Sequence, residues 1–186
     1  MNYVSAVKKS LLQKVLITVF AVISAVILPQ IFHVVGAVSG LGTSVGSAFL
    51  PMHIPVILAG LVGGMIPGII VGILSPVVSF MISGMPGAAV LPFIIAELTA
   101  YGFMAGLLSN VRLFSFAKLL IVQISGRLVR ALAVLFSIYI LANEQLTISA
   151  MYVFIIEGLF GILIQWAVIP LATEKLKMAV NNEKNN

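Results

Sequence analysis

The sequence contains no cysteine, which excludes disulfides, thiolate metal sites and a cysteine nucleophile and leaves the compartment unreadable from redox usage. Charge is also scarce: Asp, Glu, Lys and Arg make up 8% of 186 residues, against about a quarter in a soluble domain. With 61% hydrophobic residues, the chain lacks the polar cover that a surface in water needs, and lipid is the solvent it suits. No GxxxxGK[ST] loop is present, so any dependence on ATP has to come from a partner, and no HExxH is present for a zinc protease. Nothing points to a nucleic-acid partner or to a bound cofactor.

What is there is a series of apolar runs. A membrane helix needs about 20 apolar residues, so this length accommodates an all-α integral membrane domain of six transmembrane helices spanning 1–186. The runs predict helices over residues 12–35, 52–62, 67–82, 89–108, 116–142 and 148–172, with a polar, fraying cytoplasmic tail over 173–186. The apolar run at 15–35 exceeds the roughly 7–15 residues of a signal-peptide core. The second and third helices are short, and Gly63, Gly64 and Pro67 mark a tight uncharged turn between them. Two longer Gly/Ser/Pro-rich loops, 36–49 and 83–92, share one side. Lys8, Lys9, Lys14, Arg112, Lys118, Lys175, Lys177 and Lys184 all fall on the other. Cytoplasmic loops carry the excess of Lys and Arg, so both termini are expected in the cytoplasm and the two long loops outside.

Four formal charges lie within the predicted spans: Glu97, Arg127, Arg130 and Glu157. A charge at a helix centre costs roughly 2.5–3.5 kcal/mol on the insertion scale, so such residues face the interior and pair. Arg127 and Arg130 share a helix face. Arg130 lies about 18 Å and Glu157 about 13 Å below the outer ends of their helices, which makes a structural Arg130–Glu157 pair easy and leaves open a second role, an arginine that receives an anionic substrate group. Glu97 sits near the outer end of the fourth helix with Tyr101 on the same face, at the depth of His33 and His53. It either holds loop backbone or a histidine, or lines an outer pocket. Two His and a Glu at these spacings match no metal motif. Tyr152 and Trp166 fit an aromatic belt, and Gln123 and Gln165 fit hydrogen bonds between helices. A rhomboid-like protease would need a buried Ser/His pair, whereas both histidines lie at helix ends, so no enzyme activity is expected.

Small residues recur at four-residue spacing in Ala21–Ala25, Gly60–Gly64, Gly68–Gly72 and Gly102–Gly106. This spacing lets helices approach closely. For the glycines the expectation is internal packing. For the alanines a smooth face toward another protein is an equal possibility.

The combination of AVISA at 21–25, LPMHIP at 50–55, SGMPG at 83–87 and ELTAYGFMAGLL at 97–108 resembles the substrate-binding S component of energy-coupling factor (ECF) vitamin transporters over residues 12–172. The family usually has Met-Pro-Pro where this chain has Met85-Pro86-Gly87, a departure that bears on the loop. The resemblance implies a carrier subunit of a prokaryotic plasma membrane. Its partners would be a membrane T subunit, met by Ala21 and Ala25, and two cytoplasmic ATPases that supply ATP hydrolysis. It would bind a vitamin in an outer pocket and topple to deliver it. Substrate-binding candidates are His33, His53, Met85, Glu97, Tyr101, Arg127, Arg130 and Glu157. The branch is associated with pantothenate, cobalamin or its dimethylbenzimidazole precursor, and pyridoxine. A deep arginine pair suits the carboxylate of pantothenate best. The alternative class is a stand-alone channel or small exporter, which would need a polar stripe through the whole membrane.

Overall fold

A computed structural model describes residues 3–40, 42, 49–142 and 158–185, with side chains described for 11–40, 42, 49–142 and 158–180. The described residues are helical and include no strand. Helix α1 runs Tyr3–Ser39 and α2 runs His53–Leu58, continuing as a π-helical turn over Ala59–Gly63. Then follow α3 (Met65–Ser83), α4 (Leu91–Leu107), α5 (Ser115–Tyr139) and α6 (Leu159–Asn185). Four stretches are long and apolar enough to cross a bilayer: Leu11–Ser39, Met65–Ser83, Ser115–Tyr139 and Leu159–Val180. The shorter apolar helices are His53–Gly63 and Leu91–Leu107.

Several boundaries differ from those expected of the sequence. Helix α1 begins at Tyr3, well before residue 12, and the polar stretch from 173, expected to fray, continues α6 to Asn185. Lys, Glu, Leu, Met and Ala dominate that stretch, and these straight-chain residues and alanine lose little on entering a helix. Polarity reported the surroundings of the segment and not its conformation. The predicted start of the last helix, at 148, lies outside the described residues.

The two prolines at the start of α2 are placed where they cost least. Leu50 takes a left-handed conformation (φ 48°), and the His53 N–H bonds back to the Leu50 carbonyl at 3.1 Å. Pro51 falls in this turn and Pro55 in the first turn of the helix, where backbone N–H groups have no intrahelical partner to lose. At the other end Gly64 adopts φ 92°, a conformation glycine takes without penalty, and α3 starts at the next residue.

Glycine spacing sets the centre of the bundle. Gly68 of α3 and Gly102 of α4 touch backbone to backbone, so that a Cβ on either would overlap the other. Gly72 lies on the backbone of Leu98 and Thr99, Gly60 on Gly102 and Ala105, and Gly106 on Gly64 and Met65. Gly60 and the pairs Gly68–Gly72 and Gly102–Gly106 therefore serve internal packing, as their spacing suggested, whereas a Cβ on Gly64 would meet nothing and that residue serves the turn. Around this crossing Val56, Ile57, Val71, Leu98, Ala105, Leu119, Val122 and Ile169 form the buried core. At one end of α3, the Gln30 side chain of α1 donates to Ser83 Oγ at 3.0 Å. The outward faces are apolar as well: Phe20, Val34, Ile66, Met81, Leu128, Phe136, Phe160 and Leu163 are all exposed, a surface that only acyl chains would cover without penalty.

Candidate functional site

The most polar point of the interior is Glu97 on α4, which is 0% exposed. Its Oε2 accepts a hydrogen bond from Arg130 Nη1 at 2.6 Å. Its Oε1 accepts one from the Tyr101 hydroxyl at 3.1 Å, with Arg127 Nε at 3.6 Å and His53 Nε2 at 3.7 Å. Three elements thus converge on one carboxylate: α2 through His53, α4 through Glu97 and Tyr101, α5 through Arg127 and Arg130.

Local sequence explains each placement. Glu97 and Tyr101 are four apart on α4 and share a face. Arg127 and Arg130 are three apart on α5, and Gly126 beside them leaves room for the Tyr101 ring, which a Cβ at that position would enter. His53 opens α2, and its imidazole meets the Tyr101 ring edge-on with centroids 5.2 Å apart and planes at 63°. Gly158, just before α6, lies against the Arg127 guanidinium and Leu50. An isolated carboxylate would be costly here, but the Arg130 guanidinium gives it a charge-assisted hydrogen bond and Arg127 lies within ion-pairing distance, in a medium of low dielectric.

Five of the candidates, His53, Glu97, Tyr101, Arg127 and Arg130, are therefore one cluster. The arginine contact to Glu97 was not anticipated. The signal for it was depth: Glu97 lies about 9 Å into α4 and Arg130 about 13 Å from the far end of α5, similar levels on antiparallel neighbours. Glu157, the partner expected for Arg130, lies outside the described residues, as does Tyr152. His33, half-buried on α1, and Met85, half-buried in the α3–α4 turn, make no hydrogen bond or ion pair with the cluster.

A second buried polar group joins α5 to α6. Gln123 donates through Nε2 to Gln165 Oε1 at 3.0 Å and accepts from the Trp166 indole N–H at 2.7 Å. The interhelical role expected of the two glutamines is met. Trp166, placed by its sequence in an aromatic belt, is 37% exposed and turns its N–H inward to Gln123, with its ring edge-on to Phe116. Of the helix-1 alanines, Ala25 is sealed by the chain itself at 0% exposure. Ala21 lies half-buried in an apolar groove between α1, α2 and the end of α6, beside Phe20, Ile54, Leu58 and Leu176. Of the two, Ala21 lines the open groove and Ala25 is covered.

Apolar helices of spanning length, glycine-tight packing and, among the described residues, one enclosed charged cluster describe a multi-pass membrane protein. The family of ECF transporter substrate-specific components matches residues 9–173, and the chain belongs to it. No curated protein and no solved structure matches the chain. The family is one of transport subunits that bind substrate and are not enzymes.

Proposed function

We propose that this chain is a single six-span membrane domain, with both termini cytoplasmic, that captures a water-soluble vitamin or precursor for uptake across a prokaryotic plasma membrane. It works with a T subunit and two ATPases, which hydrolyse the ATP. The observation that carries the substrate reading is the convergence of His53, Glu97, Tyr101, Arg127 and Arg130 at one buried point. Ionisable groups inside a membrane bundle are expensive to maintain and mark solute pathways. The Lys/Arg bias of the loops supports the orientation, and the outer loops would then lie over the cluster. Ala21 and the apolar groove around it form the face proposed to meet the T subunit.

Pantothenate is the substrate this site suits best, because a guanidinium fork presents two parallel N–H donors to a carboxylate. A second reading is favoured by the His53–Tyr101 ring pair at 5.2 Å: an aromatic, uncharged precursor such as dimethylbenzimidazole, or pyridoxine, would use those rings as a wall and Glu97 as acceptor. Cobalamin would need a wider mouth, for which Gly87, Ala88 and Ala89 provide small residues.

The test is mass spectrometry of small molecules released on denaturing the purified protein, followed by calorimetric titration with each candidate. Pantothenate binding that falls at least tenfold in Arg130→Ala supports the first reading. Pantothenate affinity unchanged in that variant overturns it, and binding only of the uncharged aromatics selects the second.

A further inference from the structure

At the opposite end of the bundle from the α2 turn, where α4 closes and α5 begins, two lysines converge with no described carboxylate within ion-pairing distance. Lys177 of α6 donates to the Ser109 carbonyl at 2.9 Å and Lys118 of α5 reaches the same oxygen at 3.5 Å. Their ammonium groups are therefore no farther apart than those two distances together. Like charges so close repel, and among the described residues every ion pair involves Glu97, none either lysine. Beside them lies a cavity of about 100 Å³ that Lys118 and Lys177 line together with Ser115 and Glu174. Glu174 is exposed and lies outside ion-pairing distance of both lysines, so it offsets part of the field without neutralising either group. Two apolar helices end at this level: α5, which is of spanning length, starts at Ser115, and the shorter α4 stops at Leu107. Where apolar helices end, lipid headgroups are expected, and basic pockets between membrane helices at that depth bind anionic headgroups.

We propose that Lys118 and Lys177, with the Ser115 hydroxyl, form a phosphate-binding site whose occupant is the headgroup phosphate of an anionic phospholipid. The phosphate supplies the negative charge that the Ser109 carbonyl, a neutral acceptor, does not. By fastening α5 and α6 to the α4–α5 loop, an occupied site holds three elements together at the membrane edge. It is independent of the transported substrate, which concerns the Glu97 cluster.

The experiment is native mass spectrometry of the full chain in detergent, titrated with phosphatidylglycerol or with phosphatidylcholine of the same acyl chains. Each lysine at an anionic surface contributes a factor of about five, so the wild type should hold phosphatidylglycerol about thirtyfold more tightly than phosphatidylcholine. Lys118→Gln with Lys177→Gln should remove the preference, and Lys118→Arg with Lys177→Arg should keep it. Competition by inorganic phosphate, with no preference between the lipids, would retain the phosphate chemistry and replace the lipid by a soluble anion. Equal binding of both lipids by the wild type, with no effect of inorganic phosphate, overturns the proposal, a result that does not depend on any variant folding. So does undiminished phosphatidylglycerol preference in the double Gln variant, and if that variant instead loses capture by a T subunit, the lysines face protein.

Discussion

Two buried polar groups lie on one face of α5, and they are built on opposite terms. Gln123, with Gln165 and Trp166, forms a neutral knot in which the amide gives one hydrogen bond and receives another. Arg130, seven residues on and so two turns along the same face, belongs to a charged cluster that draws on three elements. The neutral knot ties two helices through two hydrogen bonds and, among the described residues, leaves Gln165 Nε2 buried without a partner. The charged cluster gathers the start of α2 and the interiors of α4 and α5 around one carboxylate. Interhelical hydrogen bonds of neutral side chains in membranes are worth about 0.6 kcal/mol on average. Breaking a buried ion pair by removing one partner costs about 3–5 kcal/mol, because the survivor is left as an uncompensated charge.

Breaking the comparison at its strongest point means Glu97→Gln, which keeps shape and leaves the arginines facing a neutral amide. Unfolding in detergent should shift down by roughly 10 °C, on the scale of 2–4 °C per kcal/mol for chains of this size. Adding Arg130→Met should recover part of the loss, and a double variant no more stable than Glu97→Gln alone would show that the pair is not the origin of the effect. Next in size is Gly102→Val, which forces a side chain into the Gly68 backbone. Overpacking of this kind costs about 1–3 kcal/mol or more, read as loss of the monodisperse species in size exclusion. Gln123→Leu should cost about 1 kcal/mol, and a double-mutant cycle with Gln165→Leu should return a coupling near 0.6 kcal/mol in thermal unfolding. A coupling of several kcal/mol would erase the contrast between the two groups. The smallest effect belongs to Trp166→Phe, within about 0.5–1 kcal/mol, because the indole is partly exposed and loses one hydrogen bond.

Much of the architecture was legible because membrane helices advertise themselves. The short second helix, its glycine exit and the Gly68–Gly102 type of contact follow from apolar length and small-residue spacing alone. Tyr101 beside Glu97, and Arg127 beside Arg130, follow from helical periodicity. The contact of Glu97 with the arginines did not, because it depends on which helices adjoin and at what depth, and a neighbouring candidate, Glu157, satisfied the same pairing rule on paper. The π-helical turn at Ala59–Gly63 left no mark in composition, since the residues that accept it are also good α-helix residues in lipid. The continuation of α6 past 173 was obscured for the opposite reason: charge there signals water, and helix propensity persists regardless.

The hydrogen bond from Trp166 to Gln123 has a consequence for watching this protein work. Trp166 is the only tryptophan of the chain, and its acceptor sits about 10 Å along the α5 axis from the level of Arg130. Indole emission responds to the hydrogen bonding and polarity around the ring. If the arginine level of α5 takes up a solute as proposed, a rotation or slide of that helix would change the registry of Gln123 against α6. The chain thus carries its own optical label, bonded to the helix that bears the two arginines, and the proposed solute binding would be followed without attaching anything.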